Sequence, residues 1–213
     1  TFPYSQFAER SYFGGSYEHE ELGKDELDCT YWEITAGGRD YLILSLGWAP
    51  DQNAINWADG IIKANPDKNV IITTHAFMYW DGTHLNDEDL DYTSAYVSSG
   101  MDGSEIWEQL GEKNPNVVLA MGGHIGFPDV IARTDENGAG REVTSLLCDA
   151  QGIDLDYGLG MMMLLTFHEN SDQVDINWFS TAEGKLFRDR NQFSITVPHV
   201  DGGSEEPENP ETP

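Results

Sequence analysis

Three hydrophobic runs, each of strand length and hardly interrupted by polar residues, constrain this chain most. They are Asp40 to Trp48 (DYLILSLGW), Asn69 to Thr74 (NVIITT) and Val117 to Met121 (VVLAM). A strand with one wet face alternates apolar and polar residues, whereas a continuous apolar run reads as a strand buried on both faces. The intervening segments have a different period. Asp51 to Asn65 places Ile55, Ala58, Ile61 and Ile62 at helical spacing, with Pro66 just beyond. Gly103 to Lys113 reads as a second helix, with Ser104 as candidate N-cap and Ile106, Trp107 and Leu110 on its apolar face. The order strand, helix, strand, helix, strand predicts a parallel sheet with right-handed crossovers.

The pattern then changes. Val130 to Thr134, Glu142 to Asp149, Met161 to His168, Gln173 to Ser180 and Gln192 to Val197 read as successive strands, mostly joined by Gly- or Asn-bearing turns. Before the first apolar run, an aromatic, irregular stretch leads into a short strand around Cys29 to Thr35 and a turn at Gly37-Gly38. The fold class is therefore α/β, parallel strands with helices passing into an antiparallel β-rich C-terminal region. Residues 1–198 are expected to form one domain portion and residues 199–213, rich in Gly, Glu and Pro, an acidic linker. Both ends read as cut from something longer. Such a linker fits a bacterial protein that is extracellular or held at the cell surface.

At 213 residues the chain suits a single core, and 38 acidic against 11 basic residues give a formal net charge of -27. That field repels a phosphate backbone and excludes nucleic-acid binding through a basic surface. No apolar run approaches the roughly 20 residues of a membrane span. The acidic runs Glu18 to Glu21 and Asn86 to Asp91 read as solvated surface; the second lacks the glycine and distal glutamate of an EF-hand loop. Cys29 and Cys148 show no CxxC spacing and read as free buried thiols.

Two histidines stand immediately after buried strands, in Thr74-His75-Ala76 and Gly123-His124-Ile125. Ligands collect at the carboxyl ends of strands in an open α/β sheet, and imidazole there suits a first-row metal. Tyr79, Trp80, Asp81 and His84, in the loop after His75, are candidates to line a substrate cleft. His168 reads as a turn residue, and His19 and His199 join no constellation.

The stretches NVIITTHAFM and LAMGGHIG resemble the last two motifs of the calcineurin-like metallophosphoesterases, a strand ending in histidine and a strand ending in Gly-His-x-His. The resemblance covers most of residues 1–197 and implies part of an αββα sandwich. It also implies a two-metal centre (Mn, Zn or Fe) that hydrolyses a small phosphoester, with His75 and His124 as ligands of one ion. Gly126 stands where the motif's second histidine belongs, and the family's Asp-x-His, Gly-Asp-x-x-Asp and Gly-Asn-His-Asp/Glu motifs are absent from the sequence. The resemblance thus implies a C-terminal half with a partial site, impaired or inactive alone, and a cut sheet edge on which the chain would dimerise. Two other readings stay open: a non-catalytic extracellular module binding carbohydrate or protein, and a carboxylate-dependent hydrolase such as a glycosidase or esterase.

Overall fold

The computed structural model describes residues 3–19, 26–151, 153 and 158–200, Ser94 for its backbone only. Residues 201–213, the bulk of the expected linker, and Glu20 and Glu21 of the first acidic run lie outside the described residues.

The expected buried runs form the centre of a mixed seven-stranded sheet ordered β1-β2-β3-β4-β5-β7-β6. Strands β3 (Arg39–Ser45), β4 (Asn69–Ala76), β5 (Val117–Gly123) and β7 (Glu142–Leu147) run parallel. β2 (Thr30–Ala36) and β1 (Phe13–Ser16) extend one side antiparallel, and β6 (Ile131–Glu136) closes the other against β7. The β-rich end pairs antiparallel, β6 with β7 and the strands between Met161 and Thr196 with their neighbours, and one strand, β7, departs from that pattern by also pairing parallel with β5. β7 is buried from Val143 to Leu147, including the polar Thr144 and Ser145, and it lies inside the parallel sheet with β6 displaced to its edge.

Helix α1 (Gln52–Ala64) connects β3 to β4. Asp51 caps it, its Oδ1 accepting the Ala54 amide at 2.9 Å, while Ala54, Ile55, Ala58 and Ile62 are buried. The second helix is shorter than its pattern: α2 (Gly103–Ile106) passes directly into a π-helical turn, Trp107–Gly111. There the Glu112 amide donates to the Trp107 carbonyl at 2.9 Å. A Cβ at Gly111 would lie 2.3 Å from the Trp107 ring, so the widened turn makes room for that indole. The N-cap is Asp102, not Ser104: its carboxylate accepts the Ser104 and Glu105 amides, and Glu105 reaches back to the Asp102 amide.

A second sheet packs across the opposite face. Its middle strand, β9 (Gln173–Ser180), pairs with β8 (Met161–Phe167) on one side and with β10 (Lys185–Leu186) and β11 (Gln192–Thr196) on the other. Strand alternation sends Val174, Ile176 and Trp178 inward against Tyr41, Ile71, Val118, Leu119 and Leu146. The other core lies between the large sheet and the helices, with Leu42, Leu44, Ile55, Ile62, Val70 and Ile72. The large sheet is thus covered on both faces, as its apolar runs require.

β3 is paired on both sides, by β2 and β4, and one strand beyond β2 the sheet ends. The strand at that edge is β1, a short FGGS segment with a bulge, a form that discourages strand addition. His199 and Val200, just beyond residue 198, make contacts with the fold. His199 is buried, its Nε2 bonded to the Tyr41 hydroxyl at 2.5 Å and its Nδ1 to Asp172 at 3.0 Å, and the Val200 amide donates to Asn69. No described helix is long and apolar enough to cross a membrane.

Candidate functional site

Side by side, β4 and β5 deliver His75 and His124 to the carboxyl end of the parallel sheet. Neither sits in regular strand geometry. The pairing of β4 with β5 steps from Thr73↔Met121 to Ala76↔Gly123, which leaves one extra residue on β4 at Thr74-His75. Such a bulge re-aims a side chain out of the alternation of its strand. His124 has φ 68°, the left-handed region, which a non-glycine residue occupies only when its surroundings hold it there. Ala49 (φ 57°) and Asp91 (φ 61°) flank the same place in the same backbone region.

The result is a pair of imidazoles facing each other, with His124 Nδ1 3.1 Å from His75 Nε2. His124 Nε2 lies 2.9 Å from the Asp91 carbonyl oxygen and must donate to it. That fixes the tautomer and leaves the Nδ1 lone pair directed at His75. Partial burial lowers the His75 pKa, the neighbouring His124 lowers it further, and the Asp149 carboxylate pulls it back up. His75 is thereby disposed to the neutral form, and its Nε2 faces the Nδ1 lone pair of His124.

Gly122 is the residue that must stay small here, while Gly123 lies at ordinary contact distance from Asp149. A Cβ at Gly122 would stand 2.8 Å from the Phe77 Cβ, and one at Gly123 would meet Asp149 Oδ2 at 3.6 Å. Asp149 follows β7, so a third parallel strand contributes a carboxylate to the same end of the sheet. The fourth, β3, leads to Trp48, whose ring centroid lies 5.4 Å from His75 and 5.8 Å from His124. Tyr96 stands 5.4 Å from Trp48 and 5.8 Å from His124, and its hydroxyl donates to Asp91 Oδ1 at 2.8 Å.

Two nitrogen ligands on one ion with metal–nitrogen bonds of about 2.0–2.1 Å lie about 2.9–3.4 Å apart, for angles between square and tetrahedral. The 3.1 Å separation falls in that range. The Asp91 carbonyl supplies the outer-shell acceptor that a metal-bound imidazole requires. The pair fits a divalent transition metal as two adjacent ligands. Among the described residues no cluster of three or more His, Cys, Asp or Glu side chains is assembled for metal binding, so the fit rests on the two nitrogens.

Gly126, in the place of the motif's second histidine, is a required glycine. A Cβ there would lie 2.4 Å from the Gln151 carbonyl oxygen, so the chain after β7 occupies the space a side chain would need.

The four cleft candidates do not join the pair. Met78 and His84 bridge across a tight turn holding Tyr79, Trp80 and Asp81. Tyr79 packs on Trp80, and Asp81 accepts from the amide and hydroxyl of Thr83. His84 is the clearest correction: it is 8% exposed, stacked on Trp107 at 5.1 Å and beside Phe77, and burial pushes its pKa down to about 4. It is a core residue. The residues that do surround the pair, Trp48, Asp91, Tyr96 and Asp149, were not singled out from the sequence. For Trp48 and Asp149 the signal existed, since each follows a buried strand as His75 and His124 do.

Both thiols are free, Cys29 buried and Cys148 half-buried, and desolvation pushes their pKa values up to about 11 and about 12. They are unsuited to nucleophilic work near neutral pH.

Fold and site together define a mixed α/β protein with an imidazole pair at the carboxyl ends of adjacent parallel strands. No family model matches the chain. It is similar to "Uncharacterized protein YvnB" of Bacillus subtilis (strain 168), 28% identical over 205 residues that cover 90% of this chain and 14% of that relative. The chain thus spans about one-seventh of the relative's length.

Proposed function

We propose that this chain is part of a calcineurin-like metallophosphoesterase sandwich and that His75 and His124 hold a divalent transition ion (Mn, Zn or Fe) serving phosphoester hydrolysis. The observation that carries this reading is the opposed pair of ring nitrogens, 3.1 Å apart, on adjacent parallel strands. A bulge and a left-handed histidine are costly features, of about 1–3 kcal/mol for such backbone conformations, and they cluster where side chains must converge on a ligand.

A bound ion would supply a Lewis acid for the phosphoryl oxygens and lower the pKa of a nucleophilic water. The chain's own contribution is orientation. Asp91 holds His124 in the tautomer with its Nδ1 lone pair free, Asp149 adds negative charge beside His75, and Trp48 shields both rings on one side. A structural ion has about four ligands, so two histidines leave positions for solvent, substrate and further donors.

The test is metal content together with turnover of a bis-aryl phosphodiester, for the parent chain and for His75→Ala and His124→Ala. We expect one equivalent of Mn²⁺, Zn²⁺ or Fe in the parent and its loss from both variants, with low parental turnover abolished alongside. A parent chain that binds none of these ions would refute the assignment.

A further inference from the structure

Trp48 and Tyr96 are 43% and 54% exposed although each packs against the histidine pair. Large aromatics left this open beside a candidate site are surfaces for something else to cover. Their positions are also locked. Trp48 is followed by Ala49 in the left-handed region, and Ala49 is wedged against Gly100, where an added Cβ would lie 2.4 Å from the Ala49 Cβ. The Met101 amide donates to the Pro50 carbonyl at 3.0 Å, joining the segment after β3 to the segment that carries Tyr96. Tyr96 is tied to Asp91, and Asp91 to His124. One chain of contacts therefore fixes both aromatic rings relative to both imidazoles.

We propose that Trp48 and Tyr96 form a preorganised wall that receives a flat aromatic group of the substrate, so that the site selects aryl-bearing phosphoesters over alkyl ones. This rests on the phosphoesterase reading given above. The two ring centroids are 5.4 Å apart with planes at 55°, so the rings pack on each other and form one continuous aromatic surface. An incoming ring must stack on their outer faces, the geometry that suits an aromatic group. The surrounding field acts alike on aryl and alkyl phosphoesters, so a preference between them falls to the rings. A chain of net charge -27 disfavours anionic substrates at long range, and stacking provides an attraction that does not depend on charge.

The experiment is calorimetric titration of the Mn²⁺-loaded chain with phenylphosphonate and with methylphosphonate, for the parent, Trp48→Ala, Trp48→Phe and Tyr96→Ala. The parent should bind phenylphosphonate about three- to tenfold more tightly, the range expected for one aromatic stacking contact. Trp48→Ala and Tyr96→Ala should erase that preference, and Trp48→Phe should keep most of it. Tyr96 is the more exposed residue, so its variant reads the wall even where loss of Trp48 disturbs folding. If the parent takes up Mn²⁺ and binds both phosphonates equally, or if the preference survives both alanine variants, the wall is overturned while the metal site stands. If the parent takes up no Mn²⁺, the phosphoesterase reading falls and the wall's selectivity falls with it.

Discussion

His84 shows how a residue that looks functional in sequence can serve the core. Its ring lies against Trp107 and Phe77, with Ser145 Oγ at 3.4 Å and Asp135 Oδ2 at 3.7 Å. Burial holds it neutral and lowers its pKa from 6.5 to about 4, Asp135 opposing and Arg133 reinforcing the shift. Because the folded pKa lies below the unfolded one, the unfolded chain binds the extra proton first. The stability tied to the neutral ring is complete above pH 6.5 and is lost as pH falls through about 4. At about 1.4 kcal/mol per pH unit the loss approaches about 3 kcal/mol, or about 6–12 °C in Tm for a chain of this size. Replacing His84 with Phe keeps the ring stack and removes the proton. Thermal melts at pH 7 and pH 4 should show the variant gaining on the parent as pH falls; a constant gap would clear His84 of any role in acid sensitivity.

At the scale of elements, α2 depends on its cap because it has only four residues before the helix widens. Asp102 Oδ1 accepts the Ser104 and Glu105 amides at 3.1 and 3.2 Å, and Glu105 returns a contact to the Asp102 amide at 3.1 Å. Asp102 is 5% exposed, so its loss also leaves buried donors without a partner. Asp102→Ala should cost about 1–2 kcal/mol in denaturant unfolding, and Asp102→Asn, an equally good cap, much less. Equal losses in the two variants would mean that charge, not hydrogen-bonding geometry, holds the helix. The elements most legible in the sequence were those with one dominant signal. Arg39–Ser45, Asn69–Ala76 and Val117–Gly123 announced themselves by unbroken apolar runs, and Gln173–Ser180 by clean alternation. The position of β7 was not legible, because an apolar strand records its burial and not which neighbour it pairs with. The π turn was hidden too, since the close approach of the Trp107 ring to Gly111 within it leaves no mark in the helix period. For the site, His75 and His124 could be read from their places after strands. Asp91 and Tyr96 could not, because a long loop returns them to the histidines and no local pattern encodes that return.

Across the whole molecule the dominant physical fact is charge. The chain's 11 cationic side chains face 38 carboxylates, and the described ion pairs already engage Arg39, Lys63, Lys68, Arg133, Lys185, Arg188 and Arg190. Most of these pairs have an exposed partner and contribute about 0–1 kcal/mol each. The surplus of 27 negative charges has no such compensation and repels itself more strongly in the compact state than in the expanded one. Salt weakens both effects, and the repulsion involves many more charges over longer distances, so its loss should win. Tm should therefore rise with sodium chloride, most steeply below about 0.15 M, where the screening length shrinks from about 30 Å at 0.01 M to about 8 Å. A rise confined to molar salt would instead reflect general strengthening of apolar burial. A Tm that falls as salt is added up to about 0.15 M would show that the ion pairs of Arg39, Asp129 and Asp135 outweigh the surplus charge, and that the acidic surface is a stabilised network, not a strained one.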